Sequence, residues 1–554
     1  MRTYYENRKS GISGGYLFRL TVLALGALLT SASAVRAATS HYGAGDPNTP
    51  LEKFYPTHYD TQRYTYFEQL PKFDPSTPLE ANEMRITFMG SSFPMVHRAA
   101  AEMSLFVEVG SDGHGNALDS FIFDMGCGAN ANYTSLGVDF ARMSKIFINH
   151  LHADHISDLI QVYGFGDGGT RKFPLYIWGN TNTYLPNPGQ SPDVIAGGPP
   201  VQAYPKAPPY YNDGVSNMCY HLREAMRWHT ESQAFQSSAY TNYPTPAQMQ
   251  TNWHLPHIPL PAGDDPYQDS NALIPIQLDW TKTGAGLRPD GSGLPDNVAY
   301  MNTDSRATVY HYPVIHCRKG AMGYRLEWKP PGGAKPITLV YSSDTKPETN
   351  SIWQALNIDK NGKTNGVDVF IHEINLAPEV LAMKSAGLPF PPTYTNSSPD
   401  FAAYWSNAVY TAWLVEQSSH TYQGAFGYML SQINPRPRLA VATHFPVSDD
   451  TVACALRSVQ AHCPEIKKMG DTLVWSFDTM VLRVFPDKIV QCRAVGNDFA
   501  FATPASVTYQ GVQMYAPKYH TPAGGWDPWA QLDLSSFIPA VTTNGTINYR
   551  PDGY

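Results

Sequence analysis

Asn149-His150-Leu151-His152-Ala153-Asp154-His155 follows directly on the apolar run Lys145-Ile146-Phe147-Ile148. Three imidazoles and a carboxylate at the end of a buried strand are too many to be satisfied as core side chains. The spacing has a geometric reason. Alternate residues of an extended strand share a side, so His150 and His152 can point at one ion. The turn that follows aims Asp154 and His155 at a neighbouring one. Imidazole nitrogen with a carboxylate is zinc-type ligation and leaves coordination positions open to water. The pattern H-x-H-x-D-H is also rare, arising by chance in on the order of one chain in a thousand of this composition.

Strand patterns flank this cluster on both sides. Upstream, 84–89, 105–109 and 121–124 read as strands, with turns at 90–94 and 126–128. Immediately downstream, a short helix runs through Ile156, Leu159 and Ile160. Further strands fall at 308–315, 324–328, 337–341, 367–371 and 439–442, with helical stretches around the last. Strands alternating with helices in two runs predict an α/β sandwich. Between the runs, 180–307 is rich in Pro, Gly and Tyr around one helical segment at 218–234. A structureless loop of that length is improbable in a compact domain, so this stretch reads as an inserted lid or subdomain. Its Tyr210, Tyr211 and Trp228 would roof a pocket or simply pack the lid.

The ends of the chain have a different character. Arg2, Arg8, Lys9 and Arg19 precede the apolar run 20–29, and small residues follow up to Ala37. That is the order of a secretory signal peptide over 1–37. The expectation is therefore a periplasmic or secreted protein without stable membrane insertion after the signal is removed. An N-terminal arm (38–83), a main domain (84–488) and a Pro- and aromatic-rich C-terminal extension (489–554) complete the predicted organisation. Net charge is −8, from 39 basic and 47 acidic residues, with no basic run of the kind a nucleic-acid surface needs. Six cysteines are too few to be a framework. Cys454 and Cys463 are near enough in sequence to suggest one bridge.

Five segments in order resemble the metallo-β-lactamase superfamily, in particular its ribonuclease Z and arylsulfatase-like branch. Phe121-Ile-Phe-Asp124-Met-Gly126 is similar to the first motif, and Asn149 to His155 to the second, with Asn149 where Thr or Ser is more usual. Pro313-Val-Ile-His316 resembles the third, Val340-Tyr-Ser-Ser343-Asp344 the fourth with Ser343 replacing Gly, and Ala442-Thr-His444 the fifth. The resemblance implies a four-layer αββα sandwich and two zinc ions. It puts one ion on His150, His152 and His316, and the other on Asp154, His155 and His444, with Asp344 bridging. Iron or manganese could occupy such a site. Asp124 would brace the metal loop from behind. Asp368-Val-Phe-Ile-His372-Glu373 resembles the family's His-Glu motif, which implies that Glu373 holds His372 as proton donor to the leaving group. Ser419-His420-Thr421 resembles the short motif after it, and a supporting role is expected for His420. Zinc β-lactamases of the commonest class place Cys where Asp344 stands, which points away from antibiotic hydrolysis.

The expected function is a zinc-dependent hydrolase in which a metal-bridging hydroxide attacks a small phosphodiester or sulfate ester. Asp154, His372 and Glu373 are its expected catalytic residues. A lactone or amide hydrolase, including β-lactam-like or natural-product substrates, is the alternative enzyme. A catalytically inactive zinc-containing binding protein is the alternative outside catalysis. A small-molecule substrate and no nucleic-acid partner are expected. Export and acidic charge support this, and the short interval 317–343 leaves no room for the tRNA-binding arm of bacterial ribonuclease Z.

Overall fold

The computed structural model describes residues 70–94, 100–166, 171, 174–183, 213–236, 272–282, 298–376, 381–382, 407–414, 419–445, 449–468, 470 and 472–495. The predicted signal peptide, most of the arm, nearly all of the C-terminal extension and the side chains of Tyr210, Tyr211 and Trp228 lie outside them.

Long runs of β-branched and aromatic residues build two sheets. The first opens with β1 (Lys72–Phe73), β2 (Met84–Gly90), β3 (Ser104–Val109), β4 (Asp119–Phe123), β5 (Lys145–Phe147), β6 (Leu175–Asn180) and β7 (Leu273–Leu278). The second holds β8 (Val298–Asn302), β9 (Ala307–Pro313), β10 (Met322–Trp328), β11 (Ile337–Tyr341), β12 (Val369–Glu373), β13 (Leu439–Thr443) and β14 (Leu473–Trp475). The chain then returns to the first sheet as β15 (Met480–Val484) and β16 (Ile489–Ala494). Strand order is β1-β16-β15-β2-β3-β4-β5-β6-β7 in one sheet and β14-β13-β12-β11-β10-β9-β8 in the other. The β4–β7 and β11–β14 neighbours are parallel, and the β2–β3–β4 and β8–β11 neighbours antiparallel.

Side-chain alternation sorts the core into two. Phe121 and Phe123 of β4 and Phe147 of β5 face the space between the sheets, where Tyr324, Tyr341 and Trp178 pack. Their neighbours Ile122, Ile146 and Ile148 face outward. There they are covered by α1 (Ala129–Ser135), α2 (Ala153–Ile156), α3 (Leu159–Gly166) and α4 (Val215–Gln236). The far face of the second sheet is covered by α5 (Thr349–Leu356), α6 (Gln423–Ser431) and α7 (Asp449–His462). The result is the four-layer α/β arrangement expected from the sequence.

The boundaries differ from expectation. The first sheet starts before residue 84 and ends after 488, because β1 pairs with β16 and β16 with β15. Of the stretch 180–307, the described parts extend the sandwich: β7 and β8 are edge strands and α4 packs on β6 and β7. The predicted Cys454–Cys463 bridge is absent, since Cys463 is a free thiol. Cys454 lies within α7, and nine residues at 1.5 Å rise put the two about 13 Å apart, well past the roughly 7 Å limit between disulfide Cα atoms. No helix among the described residues is long and apolar enough to cross a membrane.

Candidate metal centre

Strand ends of both sheets meet at one edge of the sandwich, and the chemistry-bearing residues sit there. His150 and His152 leave the end of β5, and Asp154 and His155 lie in α2. His316 comes from the loop between β9 and β10, Asp344 from just after β11, and His444 from just after β13. All seven predicted ligands converge, although nearly 300 residues separate the first from the last.

They form two groups. His150, His152 and His316 present ligand atoms within 4.8 Å of one another, as do Asp154, His155, Asp344 and His444. In the first group His316 Nε2 stands 3.1 Å from His152 Nδ1. In the second, His444 Nε2 is 3.2 Å from both Asp154 Oδ2 and Asp344 Oδ2, and His155 Nε2 lies 3.3 Å and 3.4 Å from the same two oxygens. Donors at about 2.0–2.1 Å from a tetrahedral ion are about 3.3 Å apart, so this spacing fits a divalent cation. Asp344 Oδ2 is also 3.9 Å from His316 Nε2, which places it between the groups. Both ring nitrogens of His150, Nε2 of His155 and Oδ1 of Asp344 are buried without a hydrogen-bond partner. Such buried, unpartnered polar atoms are costly unless something else uses them.

Surrounding bonds fix the rings. His316 Nδ1–H donates to Ser419 O at 2.9 Å, and His155 Nδ1–H to Asp124 Oδ2 at 2.9 Å, which leaves Nε2 of each facing its group. Asp124 Oδ2 also accepts from Tyr341 Oη at 2.9 Å and Ser343 Oγ at 3.2 Å, and Oδ1 from Asn149 N–H at 2.9 Å. Asp124 thus ties the His155 ring and the Asn149 backbone to the Tyr341 and Ser343 hydroxyls of the other sheet. Gly126 lets the loop close, since a Cβ there would stand 2.2 Å from Asp154 O. Asp124, Ser343 and His444 have φ of 60°, 55° and 54°, the left-handed region that few side chains adopt. Ser343 therefore occupies a backbone position suited to Gly, and its hydroxyl bond to Asp124 offsets the strain.

Electrostatics differ between the groups. Burial pulls the pKa of His316 down to about 4 and those of His150 and His152 below the ordinary imidazole value, with the neighbouring rings adding to it. In the second group burial works in the same direction on His155, yet the carboxylates of Asp344, Asp124 and Asp154 outweigh it and raise its pKa well above the usual value. Burial would push Asp154 and Asp344 up, but His155 and His444 hold both carboxyls far below the carboxylate range.

One expected pair is different in the structure. The Glu373 carboxylate does not hold His372. It accepts Nδ1–H of His420 at 2.8 Å, and the Thr345 backbone N–H on its other oxygen. The reason is alternation along β12: Glu373 points to the metal edge, while His372 points with Phe370 to the opposite face and packs against Phe426 of α6. His372 is fully buried, its Nδ1–H donates to Glu373 O at 2.7 Å, and burial lowers its pKa to about 4. His420 instead lies with His316 and Asp344, and with Glu373 and His444, inside the same cluster of ligand-type atoms. Its ring centroid is 5.1 Å from that of His316.

No family model matches the chain. Locally it is similar to ribonuclease Z of Treponema pallidum strain Nichols, 38% identical over 63 residues, which are 11% of this chain and 20% of that protein. It is also similar to ribonuclease Z of Methanothermobacter thermautotrophicus, 30% identical over 99 residues, or 17% of this chain and 29% of that one. The chain thus spans under a third of the length of these curated relatives. Among solved structures it is similar to the metallo-β-lactamase fold protein YhfI from Bacillus subtilis, with 11% identity and a TM-score of 0.37 over 73% of this chain and 100% of that one. In the chain itself, two sheets with helices on their outer faces bring the five segments that resemble metallo-β-lactamase motifs to one edge, with the ligand-type atoms facing one another.

Proposed function

We propose that this chain is a metal-dependent hydrolase of small phosphodiester or sulfate esters, in which His420, held by Glu373, delivers the proton to the leaving group. The observation that carries the reading is the convergence of seven donors, six of them buried and His152 half-buried, in two adjacent groups at ion-ligand spacing. His150, His152 and His316 would hold one ion, and Asp154, His155, Asp344 and His444 the other. Imidazole and carboxylate donors suit zinc, and also iron or manganese. Divalent ions bound there supply Lewis acidity toward an ester oxygen and acidify water near neutral pH.

The residues of the chain do the rest. Asp344 lies between the two donor groups and sets their separation. Glu373 fixes the His420 ring through Nδ1, so that Nε2 is the atom that exchanges a proton with substrate. The His420 side chain is 13% exposed and can reach solvent and substrate, whereas His372 is at 0% and cannot. His372 and Asp154 are accordingly read as a packed core residue and a ligand, and Glu373 as the residue that orients the acid.

The name of the curated relatives points to RNA. Their match covers a small share of their length, and the net charge of −8 disfavours a polyanion, so small esters are preferred. The N-terminal stretch 1–37 further supports export, which mass determination of the mature N-terminus would check.

The test is hydrolysis of nitrophenyl phosphodiester, sulfate and acetate esters, and of a structured RNA, each with and without chelator. Chelator-sensitive turnover of the diester or sulfate is expected. Preferential acetate cleavage would favour the lactone or amide alternative, and preferential RNA cleavage a nuclease. Bound metal without turnover on any of them would favour the inactive binding protein.

A further inference from the structure

The two donor groups straddle the gap between the sheets, and each has its own tie across it. For the second group the tie is Asp124, which the Tyr341 and Ser343 hydroxyls of the opposite sheet and His155 all address. For the first group it is Asn149. Asn149 Nδ2 donates to Met322 O at 2.6 Å, and the Met322 backbone N–H donates back to Asn149 O at 3.0 Å. Asn149 is the residue before His150, and Met322 opens β10 where the His316 loop ends. That loop is closed at its base by Val314 N–H to Ala321 O at 3.1 Å, directly beside Met322. Tyr324 Oη donates to Ile148 O at 2.8 Å, one residue upstream of the clasp. Asn149 itself is fully buried.

From this we infer that Asn149 is a positioning residue for the three-histidine group: its amide clasp to Met322 sets His316 against His150 and His152. The inference rests on the metal-binding reading above. The Asp124 tie uses different atoms of the opposite sheet and meets Asn149 only at its backbone N–H, which a side-chain substitution leaves in place, so the amide clasp can be loosened without the Asp124 tie. Asn149 Oδ1 has no hydrogen-bond partner, so the amide serves as a donor.

The test compares Asn149→Thr with Asn149→Val, which have the same shape and differ in the hydroxyl donor. Cobalt(II) is titrated into metal-free protein by calorimetry and followed through its visible absorption, with thermal melting of the metal-free forms as a fold control. The expected result is that Asn149→Val weakens one of two cobalt equivalents by about 10- to 100-fold relative to Asn149→Thr, the range for lost outer contacts to a ligand set. The other equivalent stays unchanged. Equal affinities for the two variants, or equal weakening of both equivalents, would overturn the inference. Failure of the unaltered protein to bind cobalt at all would instead sink the metal reading on which it rests.

Discussion

The three-histidine group and the Asp154/His155/Asp344/His444 group lie side by side, yet they are prepared for an ion in opposite ways. In the first, burial keeps imidazoles neutral and their lone pairs open. In the second, two buried carboxylates stay ionised and pull His155 toward the protonated state, so the pocket is anionic and calls for positive charge. A neutral nitrogen site carries little electrostatic penalty when empty and depends on geometry, whereas an anionic site destabilises its own fold until a cation arrives. Asp344, within reach of both, is the residue through which they act together.

The largest effect should come from that shared residue. Asp344→Ala is expected to lower kcat/KM by about a thousandfold or more, roughly 4 kcal/mol of transition-state stabilisation, with metal stoichiometry falling in parallel. Near-normal turnover with two ions still bound would show that the groups do not need a common ligand. Next in size is the proton donor. Replacing His420 by Ala should cost about 10²- to 10⁴-fold on esters with poor leaving groups and little on nitrophenyl esters, whose leaving groups need no proton. Replacing His372 by Gln should leave both rates nearly unchanged and cost about 1 kcal/mol in stability through its bond to Glu373 O. Rates that follow His372 rather than His420 would return the acid role to the residue that the sequence motif suggests. A smaller change separates the groups. Tyr341→Phe deletes the 2.9 Å hydroxyl bond to Asp124 and should weaken only the carboxylate-containing site, by about tenfold in metal affinity. Equal weakening of the three-histidine site would mean that the bond from Asn149 N–H to Asp124 Oδ1 carries the loss across.

Much of this was legible because the chemistry is packed into short motifs. H-x-H-x-D-H carries its own geometry, and the order of the later motifs brings in His316, Asp344 and His444. What escaped has local causes. His372 and Glu373 are adjacent, and only the direction of β12 decides which faces the ions; sequence adjacency says nothing of it. Ser343 looks like a defect in its motif until its φ of 55° and its bond to Asp124 are seen. β7 contains Pro275, which argues against a central strand, and the structure places it at the sheet edge where a missing N–H is tolerated. β16 follows Pro486 in a stretch that reads as tail, and its pairing with β15 and β1 is a long-range fact that no local pattern contains.

The smallest effect concerns the helix that follows Asp344. α5 begins at Thr349, and Glu348 caps it, its carboxylate accepting the backbone N–H groups of Asn350 and Ser351. Glu348 is buried, and burial raises its carboxyl pKa to about 7 despite those bonds. A carboxyl whose folded pKa lies above its unfolded value stabilises the fold most at low pH. Stability is therefore lost as pH rises from about 4.5 through 7, by on the order of 3 kcal/mol at most. Glu348→Gln cannot ionise, so this contribution to the pH dependence should be absent from it. It also exchanges one good acceptor for an amide that faces a backbone donor, a cost of about 1 kcal/mol. The two stability curves should consequently cross: the Gln variant melts lower at pH 4 and higher at pH 8. Because Glu348 touches no ligand atom, cobalt affinity should be the same in both proteins at pH 7. A change in affinity would show that the cap of α5 reaches Asp344 mechanically, and that the carboxylate site is less independent of its scaffold than the three-histidine site.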